Sequence, residues 1–172
     1  MNIVIEKLKD TDIEDLYEFE IENRIFFEET VPSRGDDYYI PEVFKVRNES
    51  LLDEQVKGLS FFYLIKDENN SILGRINLVD IDSDKLGFLG YRVGEIHTGK
   101  GVAKKALKLL LNTIVDLDIK EVKAKTTINN IASQKVLEQN GFEHTETSDK
   151  EFEMNGQILK FITYTWTNKP LF

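Results

Sequence analysis

Gly94, Gly99, Lys100 and Gly101 fall within VGEIHTGKGVAKKAL (residues 93–107), and Gly94-x-x-x-x-Gly99-Lys100 has the spacing of a loop that cradles a nucleoside triphosphate. Triphosphate chemistry needs Ser or Thr after the lysine, because that hydroxyl ligates the magnesium ion bridging the β- and γ-phosphates. Residue 101 is Gly, which has no side chain to offer a metal. What remains is a helix start built of small residues, whose unpaired N–H groups are sterically open to an anion. The loop suits phosphate binding without hydrolysis. Lys100, Lys104 and Lys105 stand beside it, and at least one of them is expected to meet a phosphate.

The surrounding pattern says how such a loop is positioned. Residues 2–8 alternate as a short strand, and Thr11 with Glu14 offers a capping box for a helix carrying Ile13, Leu16, Tyr17 and Ile21 on one face. EETVPSRGDDYYIPE reads as an aromatic-rich loop, and Pro41 opens a second helix to about Lys57. SFFYLIK, SILGRINLVDI and KLGFLGYRV then form three strands joined by DENN and DSD, the turn chemistry of an antiparallel meander. Past the glycine loop, Val102, Ala106, Leu109, Leu110, Thr113, Ile114 and Leu117 keep helical spacing. EVKAKTT follows as a strand and NIASQKVLEQNG as a helix capped by Asn130 and stopped by Gly141. The last run is a hairpin turned by Asn155-Gly156. The expected order is β, α, α, β, β, β, α, β, α, β, β, a single α/β (α+β) domain over 1–172 without internal repeats.

Composition narrows the chemistry. With 22 basic and 31 acidic residues the net charge is −9, which disfavours nucleic acid and anionic membrane and favours basic partners. There is no cysteine, so neither a disulfide nor a thiolate is available, and two distant histidines, His97 and His144, make a metal centre improbable. Polar residues interrupt the N-terminal run early, which argues against a signal peptide or membrane span and for a cytoplasmic protein, monomer or homodimer.

GYRV followed by TGKGVA, and about 30 residues later NNIASQKVLEQNGF, resemble the GNAT superfamily of N-acetyltransferases, most closely its branch acting on ribosomal-protein N-termini. The family's pyrophosphate loop reads Gln/Arg-x-x-Gly-x-Gly/Ala, and Thr98, Gly101 and Ala103 occupy the marked positions, with Thr98 departing from the usual side chain. Asn130, Ser133, Gly141 and Phe142 match the second motif, while ENRIFF and the NGQ hairpin extend the resemblance over most of the chain. It implies a three-layer fold whose central, mostly antiparallel sheet is splayed around acetyl-CoA, with no metal.

The implied cofactor set is Tyr91, Arg92, Val93, Thr98, Gly99, Lys100, Gly101, Val102, Ala103, Lys104 and Asn130. Residues 91–93 are expected to pair with the pantetheine arm like an added strand, and a backbone N–H there to face the developing oxyanion. Ser133 is the implied proton donor to the leaving sulfur, since the tyrosine some relatives carry four residues on is Leu137 here. The base stays open among Glu28, Glu29, Glu95, Asp80 and a water chain, with His97 read as a loop residue. The acceptor is an amine, a basic protein N-terminus being favoured over a polyamine or aminoglycoside. Phe26, Phe27, Tyr38 and Tyr39 with Glu28, Glu29, Asp36 and Asp37 are expected to cage its cation. A non-catalytic acyl-CoA-binding module is the rival from another class, hinted at by Thr98 alone.

Overall fold

The computed structural model describes residues 1–169, so the last three positions of the domain expected over 1–172 lie outside the described residues. The chain runs β1 (Val4–Lys7), α1 (Ile13–Glu22), α2 (Arg24–Glu28), α3 (Pro41–Val56), β2 (Phe61–Lys66), β3 (Ile72–Val79), β4 (Leu86–Val93), α4 (Val102–Val115), β5 (Glu121–Thr127), α5 (Ile131–Gln139), β6 (Glu143–Met154) and β7 (Gln157–Thr167). The strands form one seven-stranded sheet ordered β1-β2-β3-β4-β5-β7-β6. Every neighbouring pair is antiparallel except β4 and β5. Among the described residues no helix is long and apolar enough to cross a membrane.

Two cores make the three layers. On one face Leu107, Leu110 and Ile114 of α4 and Leu137 of α5 pack with Ile65, Ile76, Leu78 and Val122 of the sheet. Each is fully buried or nearly so, and removing such a side chain from water stabilises by roughly 1.5–3 kcal/mol. On the other face Leu16 and Phe19 of α1, Phe27 of α2 and Phe44 of α3 cover Phe62 and Leu64. The sheet is therefore sandwiched, and residues alternating along β3 and β4 address different layers.

Local chemistry sets most boundaries. Pro41 is the first residue of α3. Gly141 takes φ 84° after α5, where its N–H bonds the Glu138 carbonyl and that of Phe142 bonds Leu137, a Schellman stop. Asn155 and Gly156 both have positive φ, as the two-residue hairpin between β6 and β7 requires. Asp67 and Asp82 each accept two backbone N–H bonds and close the meander turns.

Four expectations need correction. The Thr11–Glu14 capping box does not form; Thr11 lies inside a 3₁₀ turn (Asp10–Asp12), and the Asp12 carboxylate accepts from the Lys9 N–H instead. The buried face of α1 is Ile13, Leu16, Phe19 and Glu20, so Ile21 points to solvent. ENRIFF holds a separate short helix, α2, because the chain bends at Asn23, and α4 ends at Val115, before Leu117.

Candidate active site

The sheet comes apart at one place. β4 and β5 pair from Leu86 with Glu121 to Leu89 with Ala124, and no further, although β4 continues to Val93 and β5 to Thr127. On its other edge β4 stays paired with β3 up to Val93. Gly94 donates to the Leu73 carbonyl, and alternation along an antiparallel ladder then turns the N–H and C=O of Tyr91 and Val93 away from β3. These groups face the gap, an unpaired edge of the kind that accepts an extended chain.

The glycine loop closes one end of that gap. A 3₁₀ turn (Glu95–His97) follows β4, and α4 begins after Gly101, which sits in the left-handed region at φ 77°, ψ 12°. A Cβ added at Gly99 or Gly101 would meet no atom within 4 Å, so the space over the loop is open. Among the described residues, the amides of residues 99–104 make no well-aligned hydrogen bond to a carbonyl or side chain. A run of free amides at the start of a fourteen-residue helix is an anion cradle that works through the backbone. The Thr98 hydroxyl is already spent on the Glu95 carbonyl at 2.7 Å, which holds the turn.

Facing the loop across the gap is the start of α5. The Asn130 side chain accepts from the Ser133 N–H at 3.1 Å, the N-cap expected from sequence. The Ser133 hydroxyl lies 3.0 Å from the Tyr91 hydroxyl, joining α5 to β4 beside the gap. Burial pushes the Tyr91 phenol up, with the Ser133 hydrogen bond opposing, so it stays protonated at neutral pH. Sequence spacing gave no sign of this pair, since its members are 42 residues apart.

A cleft of about 930 Å³ runs through the gap, lined by Tyr91, Val93, Thr98, Gly99, Gly101, Val102, Ala103, Lys104, Asn130 and Ser133 among the expected residues. Lys100 is exposed and does not line it. Arg92 does, but its side chain leaves β4 on the face opposite Tyr91, donating to Glu20 at 3.2 Å and lying over the Phe27 ring. Strand alternation thus places Arg92 against α1 and α2 rather than with the phosphate loop.

Asn23 couples the two sides. Its amide donates to the Phe19 carbonyl while its carbonyl oxygen accepts from the Glu95 N–H at 2.9 Å, tying the bend between α1 and α2 to the start of the loop. Gly94 leaves it room, for a Cβ there would come within 3.4 Å of the Asn23 side chain.

The expected cation cage is filled from within. The Arg24 guanidinium lies over Tyr39 and pairs with Glu28 and Asp36, while Arg34 and Arg47 lie over Tyr38. Hydrogen bonds from Arg24 and then Ser33 hold the Glu28 carboxyl below the usual range. Among the described residues lining the cleft there is no Asp or Glu, which leaves Glu28, Glu29, Glu95 and Asp80 outside it; His97 does line it.

A sheet parted between a β4 that still carries its outer partner and a parallel β5, with an amide cradle at the next helix, defines the class. The chain belongs to the acetyltransferase (GNAT) domain family, whose profile matches residues 2–143, and it is an acetyltransferase of that type. It is 28% identical over 158 residues to the probable N-acetyltransferase YjcK of Bacillus subtilis (strain 168), across 90% of this chain and 87% of that one. The ribosomal-protein-S5-alanine acetyltransferase of Vibrio fischeri superposes at a TM-score of 0.89 and 22% identity, over 99% of this chain and 97% of its own. RimL, a ribosomal L7/L12 α-N-protein acetyltransferase solved with coenzyme A, gives 0.87 and 18% over 97% and 94%. At these identities both structures speak for the fold.

Proposed function

We propose that the protein transfers the acetyl group of acetyl-CoA to a primary amine, and that the amine is the α-amine of a peptide or protein N-terminus in the cytoplasm. The observation that carries the first part is the gap between β4 and β5 ending on the free amides of residues 99–104. Support for the second comes from structural relatives named for ribosomal-protein S5 and L7/L12 acetylation, and from the cleft's opening onto α2 and the loop after it.

Acetyl-CoA supplies an activated thioester; the chain supplies everything else. The residue 99–104 amides, with Lys104 at the rim, hold the pyrophosphate, and the gap-facing groups of Tyr91 and Val93 hold the pantetheine amides. An N–H of that edge is aimed at the carbonyl oxygen where charge develops, a preorganised donor worth roughly 2.7–4 kcal/mol in other acyl-transfer sites. Ser133 gives its proton to the departing sulfur and takes one from the Tyr91 hydroxyl bonded to it, and the proton that the attacking nitrogen sheds returns through water to Tyr91, whose phenol burial keeps protonated.

Ser133→Ala is expected to lower kcat by about 10²-fold, the low end for a positioned acid, because Tyr91 remains nearby. Acetyl-CoA affinity by calorimetry should not change. Equal turnover would return Ser133 to a capping position alone.

Among the described residues the cleft wall carries no carboxylate, and the acceptor is expected to arrive neutral. The pH profile of kcat/KM for a peptide should therefore rise with a pKa near 8, that of an α-amine, and then level. Loss of activity in His97→Gln with acetyl-CoA affinity unchanged would instead make His97 the base. Thiol release measured with acetyl-CoA and a panel of peptides and small amines tests the whole reading; no release with any amine would defeat it.

A further inference from the structure

Beneath the acceptor end of the cleft lies a charge cluster that acetyl transfer does not use. Glu20 of α1 is fully buried, and its carboxylate meets Arg75 of β3 at 3.0 Å, Arg92 of β4 at 3.2 Å and Arg34 at 3.9 Å. Arg75 and Arg92 are opposite one another in the β3–β4 ladder, so their guanidiniums leave the sheet side by side. Three guanidinium charges thus surround one carboxylate charge, and arginine does not shed its proton to relieve this. Glu28 and Asp36 are held by Arg24. Burial and the charges of Arg34 and Arg75 hold Arg92 below the ordinary arginine value, with Glu20 opposing.

A buried excess of positive charge is unfavourable unless something negative joins it. All three arginines line the cleft, whose described residues include no carboxylate although the chain carries a net charge of −9. Beside them is a second unmet group. Asn77, two residues along β3 from Arg75 and on the same face, also lines the cleft, and its buried Oδ1 has no donor. It stands opposite Gly90, where a side chain would meet nothing within 4 Å, so the space above it is open. The floor of the acceptor pocket therefore lacks one anion and one N–H.

We propose that the acceptor peptide carries a carboxylate side chain within its first residues, bound by Arg34, Arg75 and Arg92, with an acceptor N–H donating to Asn77. This rests on the N-terminal α-amine reading and specifies its substrate: an acidic N-terminus in place of the basic one that net charge suggested. The placement fits the chemistry, because Arg92 adjoins Tyr91 in the chain but projects to the opposite face of β4. The amine then reaches the gap from the arginine side while the leaving sulfur faces Tyr91 and Ser133.

The test uses matched acceptors with the intact enzyme and acetyl-CoA: peptides differing only in Asp, Asn or Lys at the second position, and an amino acid beside its carboxamide. The acidic peptide should exceed the Asn peptide in kcat/KM by about tenfold or more, as a charge-assisted arginine contact gives. Arg34→Gln, at the exposed edge of the cluster, should bring that ratio towards one, and Arg34→Lys should restore part of it. Binding of the Asp peptide without acetyl-CoA, measured by calorimetry, should weaken in parallel. Preference for the free amino acid over its carboxamide with no peptide turned over would remove the N-terminal reading and keep the anion site. Equal rates within both sets, or preference for the Lys peptide, would overturn the proposal.

Discussion

Glu20→Ala is expected to lower the melting temperature by about 6–20 °C, the largest loss of stability foreseen for a single polar residue here. Removing one member of a buried ion pair destabilises by roughly 3–5 kcal/mol, since it strands the remaining charge, and a domain of this size loses about 2–4 °C per kcal/mol. Here the deletion strands more than one. Arg75 is 6% exposed at its side chain and Arg92 18%, and among the described residues Glu20 is the one carboxylate within 4 Å of either. Glu20→Gln keeps the shape and one of the two acceptor oxygens but turns the other into an NH2 facing a guanidinium and loses the charge, so it should fall between wild type and Ala. Thermal melts by circular dichroism decide it: a fall of under 2 °C in the Ala variant would mean that water already solvates the cluster. A carboxylate-bearing peptide should recover part of the loss by binding the folded state alone.

What could be read from the sequence follows from how far apart the interacting residues are. The glycine loop, Pro41 at the start of α3, Asn130 capping α5 and the Asn155-Gly156 hairpin are settled by neighbours in the chain, so their types and spacing suffice. The order of strands and helices along the chain, α2 apart, follows from segments of clear period and the turns between them. The Glu20 cluster joins residues 55 and 72 positions apart, and nothing in EFEI, GRIN or GYRV marks them as partners. Arg92 shows the same limit in reverse. Its position in GYRV pointed to the cofactor, but the register with β3 sends its side chain the other way. The aromatic and acidic residues around Tyr38 misled because composition reveals a possible cage without its occupants, which are the chain's own Arg24, Arg34 and Arg47.

Gly101→Val is expected to weaken acetyl-CoA binding by at least about 10²-fold while leaving the protein folded. Two causes act together. Gly101 lies at φ 77°, where a β-branched residue is a conformational outlier, so the turn that aims the amides of residues 99–104 would be forced to change. Even with the turn kept, the new side chain would fill space that is now open above the loop, where the pyrophosphate belongs. Losing two charge-assisted hydrogen bonds of roughly 1.5–3 kcal/mol each is enough for 10²-fold or more. The folding penalty is far smaller, about 1–2 kcal/mol for the left-handed conformation, because the added atoms meet nothing in the free protein. Gly101→Ala separates the causes: it carries much of the backbone penalty and little of the bulk, so an affinity near wild type would assign the effect to obstruction. Thr98→Ala supplies the contrast, for its hydroxyl serves the Glu95 carbonyl and its loss should alter affinity by no more than a few fold. Calorimetric titration of the three variants with acetyl-CoA orders them, and a Gly101→Val affinity equal to wild type would mean that the amide cradle does not hold the phosphates.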